Sequence, residues 1–173
     1  MHYLSLDKEE KKMNLYLVQH GEAMSKEEDP SRPLSEKGRE DIRKVAAFVA
    51  EQMKIQVASI LHSGKARAQE TAQILAEYLS PPEGIMMTEG LEPLAEPSIW
   101  VERLSKTEEE VMLVGHLPHL SKLSALLLCQ DEEKKVINFQ RGGIVCLGRE
   151  ESGFWAIDWM VTPSLLYRKM EPF

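Results

Sequence analysis

Three residues of this 173-residue chain stand where their side chains could work together: His20, Arg67 and His116. Each histidine follows a short apolar run, and each of the three lies next to a glycine or at the start of a helical pattern. A neutral imidazole is a nucleophile near neutral pH and needs no metal. A guanidinium can hold two oxygens of a phosphoryl group at once. A second imidazole, when protonated, can bind a third oxygen and stabilise charge that develops during transfer. Nucleophile, fixed positive charge and room for in-line attack are the requirements of phosphoryl transfer. Gly21, beside His20, would let a substrate approach the backbone closely. Taken singly each residue is ordinary, since strand-end histidines are commonly structural and a helix arginine is commonly solvated. Their convergence is what points to chemistry.

The elements explain the convergence. Residues 14–19 form an apolar, strand-like run ending at His20-Gly21, followed by a polar loop through Glu27, Glu28, Asp29 and Pro30. Ser35 is placed to cap a helix with Ile42, Val45, Ala46, Val49 and Met53 at helical spacing. Residues 57–61 read as a second buried strand leading to His62-Ser63-Gly64. A helix follows with Ala68, Ala72, Leu75 and Leu79 on one face, Arg67 in its first turn and Pro81-Pro82 as its stop. Free N–H groups and the helix dipole favour an anion at that first turn. A loop-rich stretch holds Leu91, Pro93 and Pro97, with a short helix around 99–104. Residues 110–114 make another strand, ending at Gly115-His116, and Leu120, Leu123, Ser124 and Leu127 mark the next helix. Residues 143–147 and 155–160 read as antiparallel strands joined by a turn at 150–153. Alternating strands and helices predict a single three-layer α/β/α domain around a mostly parallel sheet. Ligands of such sheets bind beyond the carboxyl ends of the strands, where His20, Ser63 to Arg67, and His116 all fall.

Composition narrows the partners. The formal net charge is -7, and basic and acidic residues are interleaved, so a nucleic-acid partner is not expected. No apolar run approaches a membrane span, and no membrane partner is expected. Residues 1–12 read as a charged leader lacking the apolar core of a signal peptide, with the domain occupying 13–173. Cys129 and Cys146 lack paired metal spacing and read as two buried, reduced thiols, consistent with a cytoplasmic protein. His116 and His119 have the spacing of a weak metal pair, but Pro118 lies between them at a helix start, and no metal site is assigned.

At these residues the chain resembles the histidine phosphatase superfamily, specifically its small SixA-type phosphohistidine phosphatases. The matching segments are Leu17-Val18-Gln19-His20-Gly21-Glu22-Ala23, Arg32-Pro33-Leu34-Ser35-Glu36-Lys37-Gly38, Ser63-Gly64-Lys65-Ala66-Arg67-Ala68-Gln69-Glu70-Thr71 and Val114-Gly115-His116-Leu117-Pro118. Leu91-x-Pro93 and Thr162-Pro163 are weaker echoes. The resemblance implies a phosphoglycerate mutase-like fold, here without a large cap insertion, and a metal-independent phosphatase with no cofactor. It implies that His20 carries a transient phosphoryl group, that Arg67 and His116 bind it, and that Gln19, Gly21, Arg32 and Ser63 lie around the phosphate. An open site suits a phosphohistidine-bearing protein better than a small sugar needing enclosure.

Two departures matter. The family motif begins with arginine, and this chain has Gln19, which keeps donors but loses the charge and the fork. Arg32, Lys65 or Arg141 could restore that charge. The second departure is the general acid that ester-cleaving relatives use: Glu89 and Glu92 are the candidates, and neither falls in register. A protonated imidazole is already a good leaving group, so the gap favours a phosphoramidate. Two alternatives stay open: a phosphatase of small phosphate esters, and a phosphate-binding regulatory module with weak or no catalysis.

Overall fold

The first strand, β1 (Met13–Gln19), sends its side chains alternately into two cores, Leu15 and Leu17 to one side and Tyr16 and Val18 to the other. Only a strand covered on both faces has this pattern. The computed structural model describes residues 13–167, so the leader expected at 1–12 lies outside the described residues. After β1 come α1 (Glu36–Glu51), β2 (Ser59–His62), α2 (Ala66–Leu79), β3 (Ile85–Met87) and α3 (Ser98–Ser105). β4 (Val111–Gly115), α4 (His119–Cys129), β5 (Ile144–Arg149), β6 (Trp155–Val161) and α5 (Pro163–Leu166) complete the order.

The sheet order is β3-β2-β4-β1-β5-β6. β3, β2, β4 and β1 are parallel, whereas β5 and β6 join antiparallel. Helices cover both faces. Ile42, Val45, Val49 and Leu75 of α1 and α2 pack with Val18, Ile60 and Val114. Trp100, Leu104, Leu120 and Leu123 of α3 and α4 pack with Leu15, Leu17 and Leu113. Burial of each such side chain contributes roughly 1.5–3 kcal/mol. This is the three-layer α/β/α arrangement that the alternation of strands and helices predicts, and it has the form that the family resemblance implies. Its consequence is positional: β1, β2 and β4 are neighbours whose carboxyl ends share one edge, and antiparallel β5 begins at that same edge.

Several boundaries differ from the sequence expectation. The second strand starts at Ser59, because Ala58 bonds the flanking loops (its N–H to Glu110 O, its carbonyl from Glu83 N) rather than the ladder. Met53 lies beyond α1 yet still packs against the core. β3 and α5 have only three and four residues, too short for alternation or helical spacing to reveal. Cys146 is buried, but Cys129, expected to be buried, is exposed at the last turn of α4.

The segment after His20 is held by the start of α1. Ser35 Oγ accepts from Gly38 N at 3.0 Å and donates to Glu22 Oε1 at 2.8 Å, while Ser35 N donates to Glu22 O at 2.9 Å. The cap thus joins the helix to the chain two residues past His20. A Cβ at Gly38 would lie 2.1 Å from Glu22 O, so only glycine allows this approach. Gly38→Ala should therefore push the Glu22 segment away, at a cost of about 1–3 kcal/mol and roughly 3–10 °C in melting temperature. Thermal unfolding followed by circular dichroism measures this, and an unchanged midpoint would contradict the close approach.

Candidate active site

His20 leaves β1 with its backbone N–H still on Gly115 O of β4, at 3.2 Å. Its Nδ1 lies 2.7 Å from Gly21 O. A carbonyl only accepts, so Nδ1 must carry the proton, and in the neutral ring Nε2 then holds the lone pair. Arg67 Nε donates to that Nε2 at 3.2 Å. Burial first, and then the charges of Arg67, Arg141 and Arg32, push His20 from 6.5 down to about 4, against the opposing pull of the Gly21 carbonyl. At pH 7 only roughly one ring in a thousand would be protonated, against about a quarter at the ordinary value. The ring is neutral, and one tautomer is enforced.

Arg67 is the second residue of α2, whose start has no side-chain cap. Thr71, one turn on and fully buried, donates from Oγ1 to Arg67 O at 2.7 Å and accepts from Gly21 N at 3.0 Å. One hydroxyl therefore locks the loop after His20 to the helix that carries the guanidinium. Sequence reading gave Thr71 no role, although a threonine four residues after Arg67 has the spacing to bond back to its carbonyl. The same bond corrects the reading of Gly21. Its N–H is occupied by Thr71, and a Cβ there would meet Leu34 Cδ2 at 3.0 Å and Ile42 Cγ1 at 3.1 Å. Gly21 is glycine for packing rather than for substrate approach.

His116 follows β4 and faces His20, with ring centroids 4.9 Å apart. Its Nε2 lies 2.6 Å from Ser63 Oγ, so Ser63, expected on the phosphate, is buried against the imidazole instead. Burial, followed by the charges of His20, Arg67, Lys65 and His119, takes His116 from 6.5 to about 3. The ring that could bind a phosphoryl oxygen when protonated is therefore neutral near pH 7. His119 is also fully buried; burial lowers it to about 4, while Glu92 and Glu96 act in the other direction.

Positive charge collects around the two rings. Arg32 adopts φ 52°, donates from Nε to Met24 O at 3.2 Å, and acts on both His20 and Arg67. Arg67, Arg32 and Arg141 have no ion pair among the described residues. Unneutralised guanidinium groups in a chain of net charge -7 attract anions locally. Gln19 contributes no charge, and its Oε1 is buried without a hydrogen-bond partner. Of the candidate acids, Glu89 is exposed just past β3, where Thr88 N still bonds His62 O. Glu92 folds back, its Oε2 accepting from Gly90 N at 2.9 Å. No helix of the described residues is long and apolar enough to cross a membrane.

Residues 15–96 match the family model of the histidine phosphatase superfamily (branch 1), a span that includes His20, Arg32, Ser63 and Arg67. Over that part of the chain the sequence is similar to the histidine phosphatase superfamily. Solved structures share its fold. The protein histidine phosphatase SixA complexed with tungstate is 23% identical, with a TM-score of 0.77 over 89% of this chain and 99% of that one. The alpha-ribazole phosphatase from Shigella flexneri is 16% identical, with a TM-score of 0.72 over 87% and 97%. A phosphoserine phosphatase in complex with 3-phosphoglyceric acid from Entamoeba histolytica is also 16% identical, with a TM-score of 0.65 over 87% and 97%. No curated protein matches this chain by sequence.

Two predictions follow from this geometry. His20, His116 and His119 titrate near 4, 3 and 4, below the 6.5 of an unfolded histidine. Between about pH 3 and 6.5 the unfolded chain therefore binds protons that the folded chain does not, and stability falls as pH falls through that window. NMR titration of the ring protons should show no protonation of these rings above about pH 5 while the chain stays folded; an inflection near 6.5 for His20 would refute the buried, cation-flanked site. Thr71→Val keeps the shape but leaves the Gly21 N–H without a partner, at about 1–3 kcal/mol. Turnover should fall about tenfold or more while Thr71→Ser stays close to wild type, as read from kcat and KM separately.

Proposed function

We propose that this chain hydrolyses phosphohistidine in proteins through a phosphoryl intermediate on His20. The enforced Nδ1–H tautomer carries this reading, because it leaves a basic Nε2 beside the Arg67 guanidinium. In the first step a P–Nε2 bond forms on His20 as the bond from phosphorus to the substrate imidazole breaks. That imidazole departs carrying the proton it held in the protonated substrate. Water then attacks phosphorus, releasing inorganic phosphate and restoring His20. Arg67, with the open start of α2, holds the phosphoryl oxygens. The arriving anion raises the proton affinity of His116, which then donates to a third oxygen. Ser63 orients that ring.

The bordering loops, 20–35 and 88–97, carry no helix or strand of their own, and a site without a capping element suits a side chain on a protein surface. Among the described residues no carboxylic acid is hydrogen-bonded at His20 or His116, which also favours a leaving group that brings its own proton. One observation supports small phosphate esters as a second reading: Glu89 lies just past β3, at the sheet edge that holds the site. Under that reading, Glu89→Gln abolishes ester hydrolysis and leaves phosphohistidine hydrolysis intact.

The deciding assay is phosphate release from a phosphohistidine-bearing protein beside an aryl phosphate, for wild type and His20→Ala. Release that requires His20 and prefers the phosphohistidine protein is expected. No release from either substrate, with phosphate still bound, would leave a binding module in place of an enzyme.

A further inference from the structure

Gln19 leaves the phosphoryl site one guanidinium short of the family pattern, and the fold brings another to the same place. β5 runs antiparallel to β1 with Ile144 opposite Val18, so the residues just before β5 lie beside those just after Val18. The contact is direct: Gly142 N donates to Gln19 O at 2.9 Å, and Gly143 N closes a turn onto Gln140 O at 2.9 Å. Gly142 has φ 76°, and a Cβ there would lie 3.0 Å from Ile42 Cδ1, so glycine is what lets this turn close over the end of β1. Arg141, the residue between, is thereby fixed beside the Gln19 backbone. Its side chain is exposed and forms no hydrogen bond or ion pair among the described residues. It lines a cleft of about 640 Å³ with Glu22, two residues past His20, and with Lys37, Asp41 and Gln140, a cleft whose lining does not include His20, Arg67 or His116.

Lys37 is paired with Asp41 at 2.5 Å, and Arg32 is tethered to Met24 O. Lys65 acts on His116, whereas Arg141 acts on His20 and ranks ahead of Arg32 in doing so. We propose that Arg141 supplies the phosphoryl-binding guanidinium that Gln19 lacks, reaching the site from the β5 side instead of from β1. This rests on the phosphoryl-site reading above, and it assigns the binding of a phosphoryl oxygen to a residue far in the chain from the His20 motif.

The test is a cycle of Arg141→Gln, Gln19→Arg and the double variant, with Arg141→Lys as the conservative control. The probes are tungstate and inorganic phosphate, with dissociation constants from calorimetry and from ring-proton shifts of His20. Arg141→Gln should weaken binding on the order of tenfold to a hundredfold, the loss of one charge-assisted hydrogen bond. Arg141→Lys, which keeps the charge without the fork, should lose less. Gln19→Arg should restore most of the affinity in the Arg141→Gln background and gain much less in wild type. Affinity unchanged by Arg141→Gln, or an equal gain from Gln19→Arg in both backgrounds, overturns the assignment and leaves the phosphoryl site standing. Arg141 is exposed, so the comparison of glutamine with lysine stands even where Gln19→Arg fails to fold. Wild type that binds neither anion overturns the phosphoryl site and this inference together.

Discussion

The site depends on keeping an imidazole uncharged among guanidinium groups. Burial and positive neighbours act in the same direction on His20, and only the Gly21 carbonyl opposes them. The outcome is a ring with one possible proton position and a lone pair aimed at Arg67. The same forces act on the cation beside it, since burial first, and then the charge of Arg32, lower the pKa of the Arg67 guanidinium. A bound dianion would remove the repulsion between the two guanidinium groups. An occupant of opposite charge, as the proposed function supposes, would be favoured at such a cluster of cations.

Such repulsion demands a rigid frame, and the frame is made of few contacts. Thr71 joins the Gly21 backbone to α2, and Ser35 with Gly38 joins Glu22 to α1. Glu70 extends the frame, accepting from Leu34 N at 3.0 Å and pairing with Arg39 at 2.6 Å. These bonds tie the segment carrying His20 to both helices on one face of the sheet. None of these side chains has a path to the reacting atoms, so their contribution lies in the distance between Arg67 and His20.

Much of this was legible in the sequence, for identifiable reasons. Helical spacing found the buried faces of α1, α2 and α4, and apolar runs ending in histidine located β1 and β4. The rule that ligands sit beyond strand ends then placed His20, Arg67 and His116 on one edge. What escaped were side-chain directions. Whether Ser63 faces phosphate or His116, whether Gly21 serves substrate or packing, and whether Glu92 points to the site or back to Gly90 all turn on rotamers and neighbours distant in the chain. The protonation state of His116 escaped for a related reason, since the number of cations that converge on it is a property of the folded chain.

Under the function proposed above, that protonation state would shape the reaction. In the empty site His116 is neutral, held down by burial and by the surrounding charges. A bound phosphoryl dianion supplies nearby negative charge, which stabilises the imidazolium and raises its pKa. The donor therefore forms only once the group it must stabilise has arrived. A permanently charged group in its place would add to the repulsion already felt by Arg67 and would bind anions of every kind. A neutral histidine that gains its proton with the substrate adds positive charge when charge develops on phosphorus, and Ser63 keeps the ring aligned in the interval.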